Sequence, residues 1–431
     1  MSKPIDPAPE VHLLISTGEV SGDLQGALLI KALQQQAALL GISLKLSALG
    51  GERMQRAGAT LLADTSAIGS IGLFESLPYI WATRRIQRRV QQHLRQHPPD
   101  LVVMIDYFAP NLSLGRFLRQ QFPKTPTVYY IAPQEWVWSL SPRNTQQILS
   151  ITDRLLAIFP AEASYYQQHG AQVSWVGHPL LDRVQAAPSR AEARVSLGIA
   201  PDAQVVALIP ASRQQELRYI LPVMLAAARQ IQTELPQVQF WLPVSLERYW
   251  QPIQQALRQA GLSATLVPIY RPNAASSHAV SQIVNSQIAS SQTVIAAADL
   301  VLAKSGTVNL ETALLNVPQV VMYRVNPLTA WIAEHLLKFS APFVAPPNLV
   351  MMQPIVPEFL QQQAQPEAVA AAAVELLQQP QRRLQMQQQY QQMRQHLGEP
   401  GVCLRAASAI LELLQTVAPE ATAPETADLS H

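Results

Sequence analysis

The chain has 431 residues, of which 48% are hydrophobic and 14% charged, and its formal net charge is +2. That length exceeds one ordinary core and implies two domains, while so small a charge excludes nucleic acid as an expected partner. The single cysteine, Cys403, excludes an internal disulfide and any cysteine-based zinc site, and fits a reducing compartment. Residues 1–10 hold three prolines and no apolar core, so they read as a flexible N-terminus rather than a signal peptide. No stretch reaches the roughly 20 apolar residues of a membrane-spanning helix. A cytoplasmic protein, soluble or peripheral on a membrane, is the expectation.

In chain order the pattern is strand, then helix, repeated. Val11–Ser16 is an apolar strand that runs into Thr17-Gly18-Glu19-Val20-Ser21-Gly22-Asp23, with a helix expected from Leu24 to about Gln36. Leu44–Leu49, Leu101–Ile105, Thr127–Ile131, Leu155–Phe159 and Gln172–Val176 read as further strands, and a short helix is expected around Met54. A proline- and alanine-rich joint at Ala187-Pro188 separates a second half, whose strands are Val205–Ile209, Gln239–Pro243, Thr265–Pro268, Leu300–Leu302 and Gln319–Met322. Alternating strands and helices predict an α/β protein with two parallel sheets wound on both faces and a cleft between the domains. The expected domains are 11–185 and 186–415. The Ser-, Ala-, Gln- and Asn-rich segment 273–292 reads as a weakly ordered insertion and 416–431 as a disordered tail.

Ligands of such sheets bind beyond the strand C-termini, so the polar turns there carry the chemistry. Lys304-Ser305-Gly306-Thr307 follows a strand and opens a helix, as does Pro210-Ala211-Ser212-Arg213 with Glu216 after it. Small residues ahead of a helix leave N–H groups and the positive dipole end facing a phosphate. Either turn alone is an ordinary joint. Two of them about 100 residues apart, one with an arginine, favour a nucleotide diphosphate, with Glu311 one turn on for a ribose hydroxyl.

Between Leu73 and His97 an apolar cluster (Phe74, Leu77, Tyr79, Ile80, Trp81) precedes Arg84, Arg85, Arg88, Arg89 and Arg95. Aromatics beside a cationic face suit an anionic membrane surface. A helix packed by Ile86, Val90 and Leu94, with a solvated basic face, is the plainer reading.

Several motifs also carry a resemblance. Gly18-Glu19-Val20-Ser21-Gly22-Asp23 resembles the Gly-Glu-Thr-Ser-Gly-Asp signature of the lipid A disaccharide synthase family. Tyr130 to Trp138 is similar to its Pro-Ser-Val-Trp-Ala-Trp segment, with Arg143 following. Val176-Gly177-His178-Pro179, Leu208 to Glu216, Ser305-Gly306-Thr307 with Glu311, and Pro347-Asn348-Leu349 occur in the family's order, over about Val11 to Leu414. The resemblance implies an inverting glycosyltransferase with two Rossmann-like domains, the glycosyltransferase-B fold. It implies transfer from UDP-2,3-diacylglucosamine to 2,3-diacylglucosamine 1-phosphate, releasing UDP and forming a β-1,6 disaccharide on the inner membrane. It further implies nucleotide-sugar contacts from Ser212, Arg213, Glu216, Ser305, Gly306, Thr307, Glu311 and Asn348. Ser21, Asp23, Asn111, Trp136 and Arg143 fall to the acceptor. A homodimer is compatible with this reading. The chain departs from the pattern at Asp106-Tyr107-Phe108-Ala109-Pro110-Asn111, where the family has Asp-x-Pro-Asp-Phe-Asn, and at Ala211 and Lys304.

Displacing UDP from a sugar needs a base, charge compensation for the diphosphate, and exclusion of water. Asp106, after five apolar residues, is the expected base, and a loop hydrogen bond is the alternative for it. Glu19 is the rival carboxylate, and Asp23 serves equally as a helix cap. Arg213, the two helix N-termini and Lys304 can offset the diphosphate, so no metal or other cofactor is expected; the chain has no Asp-x-Asp pair to hold one. His178 reads as a turn residue, or as a substrate contact. Trp136 and Trp138 read as packing, or as the lining of an acyl or sugar site. Another inverting UDP-sugar transferase with a glycolipid acceptor, or a non-catalytic nucleotide-sugar or lipid-binding scaffold, is the alternative.

Overall fold

The computed structural model describes residues 10–65, 77–137, 142–210, 214–269, 290–326 and 343–417. The expectations for the N-terminus, the tail and most of the 273–292 insertion fall outside them. Two compact units emerge, one holding the described residues through Pro179 and from Gly398 onward, the other Leu180–Leu397.

In the first unit the order is β1 (Glu10–Ser16), α1 (Glu19–Leu39), β2 (Ser43–Gly50), α2 (Glu52–Arg56), β3 (Thr60–Asp64), α3 (Leu77–Gln96), β4 (Leu101–Ile105) and α4 (Phe108–Gln121). It continues through β5 (Thr127–Tyr130), α5 (Pro142–Ser150), β6 (Arg154–Ala157), α6 (Pro160–Gln168) and β7 (Val173–Trp175). The sheet runs β3-β2-β1-β4-β5-β6-β7, every pair parallel. Leu13, Leu14, Ile15 and all of Leu101–Ile105 are fully buried, as expected of strands covered on both faces. That is why their apolar runs are continuous rather than alternating.

The second unit begins with α7 (Leu180–Gln185), α8 (Arg190–Leu197), β8 (Val205–Ile209), α9 (Gln214–Glu234), β9 (Gln239–Val244), α10 (Trp250–Ala260) and β10 (Ala264–Pro268). Next come α11 (Ser291–Ala297), β11 (Leu300–Lys304), α12 (Thr307–Leu314), β12 (Gln319–Tyr323), α13 (Pro346–Met351), β13 (Glu358–Leu360), α14 (Pro366–Gln378) and α15 (Pro380–Leu397). Its sheet, β10-β9-β8-β11-β12-β13, repeats the topology of the first. In both, strand order reverses beside the first strand, between β1 and β4 and between β8 and β11. A doubly wound sheet opens a crevice at that point.

Three expectations change. α1 starts at Glu19 rather than Leu24, so most of the Gly18–Asp23 motif is helix. The strands β3 and β13 were not anticipated: none of their residues is fully buried, so neither is marked by the apolar run of a strand covered on both faces. The last helix, α16 (Val402–Val417), was expected in the second domain and instead packs on α1 in the first unit. Its apolar face, with Ala406, Ile410 and Leu411, is buried. Arg405 anchors it, donating from Nε and Nη2 to the Val176 carbonyl at 3.0 and 2.8 Å.

In α3, Val90 and Leu94 are buried and Arg84, Arg85, Arg88, Arg89 and Arg95 are exposed, an arrangement that both readings of this helix share. Among the described residues no helix is long and apolar enough to cross a membrane.

Candidate active site

At the reversal point of the first sheet, the turn after β1 meets the turn after β4. A Cβ placed on Gly18 would lie 2.5 Å from the Tyr107 ring, and one on Gly22 would lie 1.9 Å from Thr17 Oγ1. Both glycines therefore permit close approach, the first of them bringing the Gly18–Asp23 motif against the Asp106 turn. Ser21 is half-buried in the first turn of α1. Asp23, expected at the acceptor, is 5% exposed. Its Oδ1 accepts from Gly51 N at 2.8 Å and Met54 N at 3.1 Å, and its Oδ2 from Arg53 N at 3.2 Å. It caps α2, not α1. The side chain of Glu19 lies outside the described set.

The β4–α4 turn is strained. Asp106 and Tyr107 have φ of 47° and 51°, and Ile131, after the adjacent β5, has φ of 59°. Left-handed backbone at non-glycine residues costs on the order of 1–3 kcal/mol each and gathers at functional sites; for a β-branched residue it is a true outlier. Several hydrogen bonds hold it. Asp106 N donates to Ile131 O at 3.1 Å, Tyr129 Oη donates to Asp106 O at 2.7 Å, and Asn111 Nδ2 donates to Asp106 O at 2.7 Å and Ile105 O at 3.2 Å. Ser16 Oγ completes the set, donating to Asn111 Oδ1 at 2.7 Å. Asn111 was expected at the acceptor. It is 0% exposed and serves the backbone of Asp106. The outcome is one exposed carboxylate, Asp106, on a backbone with little freedom.

The 131–137 loop carries the half-buried Trp136, whose ring lies 5.6 Å from Phe159; Phe159 lies 5.2 Å from the His178 ring. Burial holds His178 down to about 3, so it is neutral and not a general acid. Arg143 is exposed at the start of α5, and Trp138 falls outside the described residues. Glu162 was missed from the sequence. It is the third residue of α6 and 1% exposed; Oε2 accepts from Ile158 N at 2.8 Å and Phe159 N at 3.3 Å. Pro160 and Glu162 signal a helix start, but nothing local signals the burial.

At the reversal point of the second sheet, the turn after β11 contradicts part of its expected role. Ser305 Oγ donates to Val344 O at 2.7 Å, and Gly306 N donates to Asn309 Oδ1 at 2.7 Å. Neither group is presented to a phosphate. What faces outward is Thr307, exposed at the first position of α12, with Lys304 half-buried beside it. Asn309, unremarked in the sequence, continues inward: its Nδ2 donates to Gln319 Oε1 at 3.0 Å, and Gln319 Nε2 donates to Tyr390 Oη at 3.2 Å. Glu311, expected at a ribose, is 3% exposed, and one carboxylate oxygen lies 3.1 Å from Arg183 Nη1. Burial raises the Glu311 carboxyl, and Arg183 offsets part of that rise. Asn348, expected at the nucleotide sugar, is 0% exposed; its amide donates to Val356 O at 3.0 Å and accepts from Val356 N at 2.8 Å. It locks α13 to the chain ahead of β13. Ser212 and Arg213 lie outside the described residues, as does the side chain of Glu216.

The fold is shared with solved structures of low sequence identity. The MnaA–UDP co-structure of S. aureus matches with a TM-score of 0.62 at 13% identity, over 94% of this chain and 97% of that one. MurG of Acinetobacter baumannii matches with a TM-score of 0.52 at 13% identity, over 93% of this chain and 99% of that one. These are doubly wound pairs of the glycosyltransferase-B kind. Sequence is more specific. The chain is 51% identical over 402 residues to the lipid-A-disaccharide synthase of Gloeothece citriformis, covering 93% of this chain and all of that protein. Residues 13–413 match the family model described as lipid-A-disaccharide synthetase. The motifs around Gly18, Asp106 and Thr307 thus stand in a chain that belongs to the lipid-A-disaccharide synthetase family.

Proposed function

We propose that this glycosyltransferase moves diacylglucosamine from its UDP derivative to diacylglucosamine 1-phosphate, with Asp106 as the base. The observation that carries the reading is the strained turn that leaves the Asp106 carboxylate exposed at the reversal point. Asp106 takes the proton of the acceptor 6-hydroxyl as that oxygen bonds to the anomeric carbon. The bond to the diphosphate breaks on the opposite side, UDP leaves, and the configuration inverts. In the second unit, Arg213, the outward N–H groups opening α12 and Lys304 compensate the leaving charge. Glu311 is read as the ribose contact, in competition with Arg183. That a structure of the same fold holds UDP supports the nucleotide half. Ser21, Trp136 and Arg143 remain the candidates for the acceptor.

Both substrates carry acyl chains, and each CH₂ taken from a bilayer into water costs about 0.8 kcal/mol. We therefore assign the exposed arginines of α3 to anionic head groups of the inner membrane.

Purified protein with both lipids in anionic vesicles should yield UDP and disaccharide in equal amounts by mass spectrometry, in excess EDTA as well. A folded protein that makes neither overturns the assignment; UDP without disaccharide points to another acceptor. Replacing Arg84, Arg85, Arg88 and Arg89 by Gln should release the protein from the vesicles as salt rises. Equal sedimentation of variant and wild type removes α3 as the docking surface.

A further inference from the structure

In the first sheet β4 runs between β1 and β5. Met104, two residues before Asp106, pairs with Ser16 at the end of β1 on one side and with Tyr129 of β5 on the other. Two buried hydroxyls, one from each flanking strand, thus stand in one row across the sheet just ahead of the strained turn. Both end on the same atom. Tyr129 Oη donates to the Asp106 carbonyl directly at 2.7 Å. Ser16 Oγ donates to Asn111 Oδ1 at 2.7 Å, and Asn111 Nδ2 donates to that carbonyl at 2.7 Å. A carbonyl oxygen has two lone pairs, and here both are taken. The Asp106 amide is committed as well, to Ile131 O at 3.1 Å. The peptide groups on both sides of the Asp106 Cα are therefore fixed.

We propose that Ser16 and Tyr129 are the positioning residues of the base, two hydroxyls from the strands flanking β4 that fix the Asp106 carbonyl and with it the direction of the carboxylate. This rests on the reading of Asp106 as the base. A left-handed backbone persists at a residue with a side chain only where its surroundings over-determine it, and Asp106, with φ of 47°, is such a residue. Packing alone does not call for these oxygens. Phenylalanine at 129 and alanine at 16 would fill nearly the same space, yet each would leave a buried acceptor short of a donor. The Asn111 amide must turn its nitrogen to the carbonyls of Ile105 and Asp106, and Ser16 satisfies the oxygen left on its other side. Burial holds the Tyr129 phenol well above the usual tyrosine range, so it stays a donor at every working pH.

The test removes one oxygen at a time. Tyr129→Phe and Ser16→Ala should each lower kcat about tenfold, and both together about 10²-fold, the effect of an ångström-scale misplacement. UDP affinity by calorimetry and the donor KM should hold. The same substitutions made in Asp106→Asn should lower its residual turnover by less than about twofold, because groups that act as a unit are not additive and no base is left to aim. A merely structural loss would carry over undiminished into that background. Wild-type kcat in the folded double variant, or equal losses with and without Asp106, overturns the proposal. Circular dichroism reports folding, and if the double variant unfolds, the two single variants carry the same comparison. The base reading fails separately: if Asp106→Asn turns over like wild type, or wild type makes no disaccharide, there is no base for the two hydroxyls to position and the proposal falls with it. If Asp106→Asn is impaired and the losses are additive, the base stands and the positioning role alone is lost.

Discussion

The two strand–turn–helix joints at the reversal points use the same topology in opposite ways. After β4 the backbone is bent into left-handed conformations and clamped by Tyr129 and Asn111, and one side chain is sent outward. After β11 the side chains of Ser305, Asn309 and Glu311 turn inward, and Thr307 stays exposed with Lys304 half-buried beside it. The first joint aims a carboxylate, as proton transfer needs. The second opens a helix at the exposed Thr307, and helix starts favour anions. Similar joints thus differ in which of their side chains are turned inward and which are left exposed.

The contrast is broken most directly at Asp106. Asp106→Asn keeps shape and hydrogen bonding but cannot take a proton, so turnover should fall by roughly 10²–10⁴-fold while UDP binding, measured by calorimetry, stays. Glu19→Gln should lose less. If Glu19→Gln abolishes turnover and Asp106→Asn does not, the base belongs to the β1–α1 turn.

A second test reads the first joint through stability. Glu162 ordinarily titrates near 4.5, and burial raises it to about 8 in the folded state. The folded protein therefore holds this proton more tightly than the unfolded chain does. Stability from this group is complete at low pH and is lost as pH climbs from 4.5 through about 8, by at most about 5 kcal/mol. His178 acts on the acid side: with its folded value held down to about 3, it lowers stability as pH falls from its ordinary 6.5 towards 3. Glu162→Gln should remove the fall in chemical-denaturation midpoints that this group contributes between pH 4.5 and about 8 and leave the His178 contribution in place. A slope equal to wild type above pH 5 would mean that Glu162 is ionised in the fold.

The smallest effect is expected in the second joint. Asn309→Ala leaves the Gly306 amide and Gln319 Oε1 without their partner, at a cost of about 1–3 kcal/mol. UDP should bind on the order of tenfold more weakly, and disaccharide formation at saturating donor should change little. A variant that loses kcat and keeps UDP affinity would reverse the division of labour between the joints.

Much of this was legible in the residues. Strands buried on both faces read as unbroken apolar runs, so β1, β4, β5, β8 and β11 are visible with their C-terminal turns, and Asp106 and Thr307 with them. The Gly18–Asp23 motif was legible as a site but not as the start of a helix. The reason for Gly18 is the Tyr107 ring, some ninety positions along the chain.

Local sequence determined where the chain turns and which residue types stand at each turn, because burial pattern, glycine and helix-start chemistry act over a few residues. Only tertiary structure decided which polar groups face outward. Asp23 is committed to amides 28 and 31 positions away, Ser305 to a carbonyl 39 positions away, and α16 to the helix α1 near the other end of the chain. A buried polar group must find a partner, and that partner is brought within 3 Å or so by the packing of the whole unit. Glu162 is the sharpest case. Its place at a helix start is written in Phe159-Pro160-Ala161-Glu162, whereas its neutrality comes from the surrounding core and from Asp106, which no reading of neighbouring residues could supply.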